Sequence, residues 1–457
     1  MDKEEGEGQY PLCEKDYFRR LDLLCYECKG ALRGSYITAL DRKYHIEHFT
    51  CSVCPTVFGA QDSYYEHEGN VFCHYHYSTQ YAQRCNGCQT AILKQFVEIF
   101  RNGLNQHWHP ECYMIHKFWN VRLAPQGSEP DDKFHDQNAS AEVREMVRVD
   151  EDQMEQKVYR IWSVLSTFEE SSAARISDML FNVSNGAYMD SVVVARKFIW
   201  HVDILFGATD SLDNLIIASG MKRKYISPIL TAHLTSAALA YGREAKLLCK
   251  KIVAFFTLLS KSQETGVRKL GVTQELLSLV TGLAHYLKLL IRISLQGALK
   301  LEKERKSIEG LNCFLDKLQD LDTLKDTDRA LGVDSGATDL AKDQSDLCRQ
   351  CGESIDEECI KKEPFRWHKY HLVCDYCQRT IADDWRTGRW SPSENTVICQ
   401  QCFNEGKKAL DATLAFEYAS RLQQYVYLLR VALARLLSVL RKGPALPHTS
   451  GMYHRHL

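Results

Sequence analysis

Residues 45–54 read HIEHFTCSVC, so His45, His48, Cys51 and Cys54 follow one another at identical two-residue gaps. Cys25 and Cys28 precede this run at the same gap, and Cys73 and His76 come after it. The whole stretch is C-x2-C-x16-H-x2-H-x2-C-x2-C-x18-C-x2-H. Taken as consecutive fours, the ligands make two tetrahedral zinc sites: Cys25, Cys28, His45 and His48, then Cys51, Cys54, Cys73 and His76. Only Phe49 and Thr50 separate the fours, which holds the two sites side by side and puts an apolar residue between them. Buried cysteines and surface histidines without a role do not account for four ligand pairs at one spacing. A RING arrangement needs a C-x-H step, which this run lacks.

The pattern recurs twice. Cys85, Cys88, His109 and Cys112 complete one further site, but Ile115 and Phe118 stand where its second ligand pair would begin. That half-site reads as lost, with Ile115, Phe118 and Trp119 supplying packing instead; a rival reading recruits His116, which has no other ligands near it in sequence. Cys348, Cys351, His368, His371, Cys374, Cys377, Cys399 and Cys402 form a complete third set, again with sixteen residues between the first Cys pair and the first His. Tyr44, Trp108 and Trp367 occupy the same aromatic position before that His. Five zinc ions per chain are expected. All are structural, because no site keeps the open position that catalysis needs. Cys359 falls outside the register and reads as a free thiol, and Cys13, Cys249 and Cys313 receive no role.

The remainder of the 457 residues must hold larger cores, since 45% are hydrophobic. Eighteen cysteines without a signal peptide at the acidic start Met1, Asp2, Lys3, Glu4, Glu5 point to a reducing compartment. A net charge of -2, and acidic residues that balance the basic ones between Cys25 and Phe118, argue against nucleic acid as a partner. The apolar runs Leu276 to Leu299 and Tyr425 to Leu440 are interrupted by Lys288, Arg292, Arg430 and Arg435, so no membrane span is expected.

These signals divide the chain into a flexible start (1–22), a first zinc module (23–79), a second (83–122), a linker (123–144), a helical bundle (145–325), a linker (326–346), a third zinc module (347–404), an apolar helix (405–442) and a polar tail (443–457). The fold class is therefore multidomain: small zinc-stabilised β-hairpin modules plus a large all-α region. Helical stripes appear at Met154, Val158, Ile161, Trp162 and Leu165, and at Val192, Ala195, Ile199, Val202 and Phe206. Helix starts are expected at Thr167 with Glu170, at Ser227 with Pro228, and at Thr273. His201, His233 and His285 read as ordinary core or surface residues. The linkers are expected to isolate the modules, so that Cys51→Ser or Cys374→Ser would unfold one module and spare the helices. The apolar helix packs on the bundle or pairs with another copy.

No phosphate-binding loop, nucleophile elbow or H-E-x-x-H is present, which argues against an enzyme. The zinc pattern resembles a LIM domain. Two LIM modules, a helical insertion, a third LIM module and an apolar helix together resemble the N-terminal part of the fungal LIM-type Rho GTPase-activating proteins. CSVCPTVFG at Cys51 to Gly59, DSYYEH at Asp62 to His67 and HWHPECYMIH at His107 to His116 carry the likeness. The resemblance implies a cytoplasmic adaptor, at the cell cortex or sites of polarised growth, with protein partners on its LIM modules and Rho-type GTPases among them. The family's activating domain with its arginine finger is not found here, and Ile99, Phe100, Arg101 is a chance fragment of such a motif. Direct contact of the helical region with a Rho-type GTPase is the alternative, with Arg430 and Arg435 as the arginines most open to that role. A zinc-dependent transcription regulator is the weaker one.

Overall fold

The computed structural model describes residues 11–59, 61–101, 103–124, 139–220, 238–265, 270–323, 346–406 and 411–442. They fall into two compact units, Met1–Trp162 and Ser163–Leu457.

The first unit opens with α1 (Glu14–Arg20), where a flexible start was expected. Its acidic first turn and basic last turn complement the helix dipole, and Glu14 pairs with Arg33 at 2.5 Å. Three antiparallel hairpins come next, β1 (Tyr36–Ala39) with β2 (Arg42–His45), β3 (Tyr65–His67) with β4 (Asn70–Phe72), and β5 (Val97–Arg101) with β6 (Leu104–Trp108). Short helices α2 (His74–Gln80) and α3 (Pro110–Trp119) each begin beside a ligand. Phe49 is 2% exposed and touches Tyr44, Phe58 and Tyr64 with ring centroids 5.1 to 5.4 Å apart. This is the aromatic plug expected between the first two sites.

Helix α4 (Ala141–Ser184) starts four residues before the expected boundary at Glu145, and its first half does not belong to a bundle. Val147 is buried in the core of the first zinc module, and Trp162 packs on Phe118 and Trp119 of the second. Small hairpin modules cannot bury enough apolar surface alone, and an amphipathic helix laid across them supplies the missing cover. Thr167 lies inside α4 rather than at a helix start. A capping box is a local pattern, and the stripe continuing through Phe168, Ile176 and Met179 outweighs it. Thr273 likewise lies within a helix, while Ser227, Pro228 and His233 lie outside the described residues.

In the second unit, α5 (Tyr188–Ala218), α6 (Gly242–Thr265), α7 (Leu270–Arg305) and α8 (Glu309–Thr323) form the bundle. The stripe Val192, Ala195, Ile199, Val202 and Phe206 is at most 3% exposed, as its period demands. Among the described residues one helical stretch, Gln274–Arg305, is long and apolar enough to cross a membrane by length and composition. Here its Leu283, Leu287, Leu290, Ile291 and Leu295 are core residues, each at most 2% exposed.

The third zinc module contains β7 (Cys359–Lys362), β8 (Phe365–His368), β9 (Arg389–Ser391), β10 (Thr396–Ile398) and α9 (Gln400–Asn404). Residues 405–442 do not form the expected single helix. Strands β11 (Thr413–Leu414) and β12 (Glu417–Ala419) come first, pairing with β9 and β7, and the helix α10 spans only Arg421–Lys442. Leu414 is 59% exposed and Phe416 enters the module's core, because this segment completes two small sheets before the helix begins. Leu422, Leu429, Leu433, Leu436 and Leu440 of α10 are buried, and the helix packs on α5 and α6. Of the two expectations for this helix, packing on the bundle is the one seen here.

Candidate metal centres

Three hairpins lead to a histidine, His45 at the end of β2, His368 at the end of β8 and His109 just after β6, so strand pairing delivers each to the Cys pair that precedes it. The aromatic before each turns inward: Tyr44, Trp108 and Trp367 are 7%, 0% and 2% exposed. The result is five four-residue clusters whose ligand atoms all lie within 4.8 Å of one another. They are Cys25, Cys28, His45 and His48; Cys51, Cys54, Cys73 and His76; Cys85, Cys88, His109 and Cys112; Cys348, Cys351, His368 and His371; and Cys374, Cys377, Cys399 and Cys402.

Their spacing fits zinc. Bonds of about 2.3 Å to sulfur and 2.0 Å to nitrogen put neighbouring corners of a tetrahedron about 3.3 to 3.8 Å apart. Cys28 Sγ lies 3.3 Å from His45 Nδ1, Cys51 Sγ 3.5 Å from His76 Nδ1, Cys88 Sγ 3.4 Å from His109 Nδ1 and Cys377 Sγ 3.7 Å from Cys399 Sγ. Nδ1 is the inward atom of every histidine in these contacts. Nε2 of His45 and of His109 faces a carbonyl, Ala31 and Ala91, at 3.2 Å, which fixes the tautomer that leaves Nδ1 free to bind metal.

Main-chain hydrogen bonds favour the thiolate form of the sulfurs that receive them. Main-chain N–H groups donate to Cys25 from His45 at 3.4 Å, to Cys51 from Cys73 at 3.3 Å and to Cys374 from Cys399 at 3.3 Å. A hydrogen bond from Cys73, with main-chain donors beside it, brings the Cys51 thiol down to about 4 against the opposing effect of burial, while Cys73 is pushed up. Several thiolates packed at this distance need a cation. These donor sets are closed, four protein ligands each, and their cofactor is structural zinc.

In the second module α3 occupies the place of the missing half-site. Ile115 and Trp119 are 0% and 2% exposed, and Phe118 stacks on Trp162 at 5.9 Å. Among the described residues His116 joins no cluster and instead stacks on Trp108 with centroids 4.8 Å apart. Gly87 is required here: a Cβ on it would meet Cys112 Cβ at 2.8 Å.

Two residues that the sequence did not single out organise the surroundings. Glu151 of α4 accepts from Arg84 Nη1 at 3.1 Å and from the Ala91 amide at 3.3 Å, and its other oxygen meets His74 Nε2 at 3.3 Å. One carboxylate thus ties α2 of the first module to the second. Gln424 of α10 is fully buried against the third module, donating to the Ile355 carbonyl and accepting from Arg366 and from the Cys359 thiol. Cys359, expected to be a free thiol without a role, is therefore a buried part of that contact. Arg430 pairs with Asp203 at 2.6 Å and Arg435 with Asp346 at 2.5 Å, so both are engaged within the chain.

Comparison with known proteins agrees with this geometry. Residues 25–81 match the LIM domain family profile. The chain contains a LIM domain. It is 46% identical over 441 residues to the Rho-type GTPase-activating protein 1 of Schizosaccharomyces pombe and 30% identical over 444 residues to the Rho-GTPase-activating protein LRG1 of Saccharomyces cerevisiae. Each match covers 95% of this chain but only 36% and 42% of the relative, so the chain spans well under half the length of these proteins. A 102-residue stretch is 32% identical to paxillin homolog 1 of Caenorhabditis elegans, covering 24% of that protein.

Proposed function

We propose that the chain is a zinc-dependent LIM scaffold in Rho GTPase signalling, the targeting and regulatory part of a Rho GTPase activator. The observation that carries this reading is similarity to two fungal Rho GTPase-activating proteins over 95% of the chain, helical region included. The modules present short strand edges to partner peptides, where main-chain pairing gives affinity and neighbouring pockets give specificity. Its place is the cytoplasm, at the cortex where Rho-type GTPases act. The twenty cysteines and histidines of the five clusters hold five zinc ions in this reading, and none takes part in catalysis.

GTPase activation needs a cationic group held against the transferred phosphate. The engagement of Arg430 with Asp203 and of Arg435 with Asp346 supports a scaffold that does not itself supply that group. A single-turnover assay with purified Rho-type GTPases tests this: the zinc-loaded chain leaves the hydrolysis rate unchanged while binding at least one of them. Stimulation that Arg430→Ala or Arg435→Ala abolishes in a folded chain would replace the scaffold reading with direct activation.

A further inference from the structure

Helices α5, α6 and α8 and the turn between β12 and α10 enclose a cavity of about 370 Å³, separate from every zinc cluster. Its size falls in the range of small-ligand sites, about 300 to 1,000 Å³. Three carboxylates line it, Asp210, Asp213 and Glu358, against two cations, Lys317 and Arg421, leaving one negative charge in excess. Most of these groups already have a partner. Asp213 accepts from the Leu239 amide at 2.6 Å, Arg421 faces Glu358 at 3.5 Å and Lys317 donates to Ser211.

Two acceptors are left over. Asp210 Oδ2 takes the Ser420 hydroxyl, but its Oδ1 receives no hydrogen bond from the described residues. Burial, the largest cause, raises Asp210 to about 6, with Asp213 adding to the rise and Ser420 and Lys317 opposing it. Tyr241 is only 5% exposed, and no described residue hydrogen-bonds its hydroxyl. Burial raises that phenol strongly, and the charges of Asp210, Asp213 and Arg421 act on it, so the hydroxyl stands among the charged groups of the cavity. Asp210 and Tyr241 both line the cavity, where these acceptors can take a hydrogen bond from a ligand. Ile217 and Leu239 supply apolar wall beside these groups.

We propose that this cavity binds an amine or guanidinium group carried on an aliphatic stem, with Asp210 and Tyr241 receiving the cation. An anion would meet excess negative charge, and a wholly apolar ligand would leave the carboxylate and phenol unpaired. The same chemistry has two sources, a lysine or arginine side chain of a partner protein and a free amine. The inference does not rest on the Rho signalling reading.

The test is isothermal titration of the zinc-loaded full chain with agmatine, with a pentapeptide carrying arginine between glycines, and with the same peptide carrying norleucine. At least one cationic probe binds saturably and the norleucine peptide does not. Agmatine binding alone identifies a free amine, and peptide binding identifies a partner side chain. Asp210→Asn, which keeps shape and removes charge, weakens binding about tenfold or more, and Tyr241→Phe weakens it less. Ile217→Trp is the second variant; Ile217 is 47% exposed, so narrowing the mouth there leaves the core untouched and still reduces binding. No saturable binding, equal binding of the norleucine peptide, or undiminished affinity in folded Asp210→Asn and Ile217→Trp would overturn the proposal.

Discussion

Arg366 and Gln424 meet at 2.8 Å although one belongs to a zinc-module strand and the other to α10, which packs on the bundle. Arg366 is 4% exposed and its guanidinium also lies over the Tyr427 ring at 3.3 Å, so the third zinc module and the helices share one buried polar seam. The expectation that linkers isolate this module from the helices fails at that contact.

Loss of zinc at the fifth cluster therefore reaches the helices. Cys374→Ser is expected to lower the midpoint of the helical melting transition measured by circular dichroism, together with loss of zinc from the third module. An unchanged helical transition would return the module to independence.

Metal analysis of protein purified without chelator is expected to give five zinc ions per chain. Six would mean that α3 of the second module holds a metal that its buried Ile115 and Trp119 leave no room for.

Glu151→Ala removes the carboxylate shared by Arg84, His74 and the Ala91 amide. The side chain is only 9% exposed, so about 1 to 3 kcal/mol of local stability is expected to go. Hydrogen exchange at Ala91 and along the first turns of α4 should accelerate, while the bundle amides keep their protection. Unchanged exchange at Ala91 would show that Glu151 is a bystander.

Gly87→Ala drives a methyl into Cys112 and the Trp108 ring, which stand 2.8 and 3.2 Å from the new atom. Overpacking of about 1 to 3 kcal/mol is expected. Its readout is weaker zinc retention by the second module alone in a chelator competition.

His201 is 5% exposed, lies 3.0 Å from the Ser172 hydroxyl, and is brought down to about 4 by burial, with Arg175 adding to the effect. Its folded value is below the unfolded one of about 6.5, so its contribution is whole above that pH. Stability then falls by up to about 1.4 kcal/mol per pH unit as pH drops from 6.5 toward 4. His201→Gln should flatten that part of the stability profile relative to the parent chain; an equal slope in both would remove His201 as its source.

The ligands are legible in the sequence because metal geometry is written into covalent spacing: two residues between paired ligands leave little freedom for other readings. The stripe from Val192 to Phe206 is legible for the same reason, since helical period is a local property. The hidden part is tertiary. Gln424 looks like any polar helix residue until Arg366 and Cys359 arrive from the β7–β8 hairpin more than fifty residues away. The residues of β11 and β12 carry enough apolar character to pass for the start of α10, and only the unpaired edges of β9 and β7 decide otherwise. The first half of α4 reads as part of the bundle because amphipathicity states that a face is covered without stating by which neighbour.

The strands after the last ligand also fix where this chain can be cut. A piece ending at Asn404 would keep all eight ligands of the third module yet lose the partners of β7 and β9, exposing two rows of main-chain donors and acceptors. Such edges recruit strands from neighbouring molecules. The isolated module would take up its zinc and then self-associate, so a partner fished out with it would report stickiness rather than recognition.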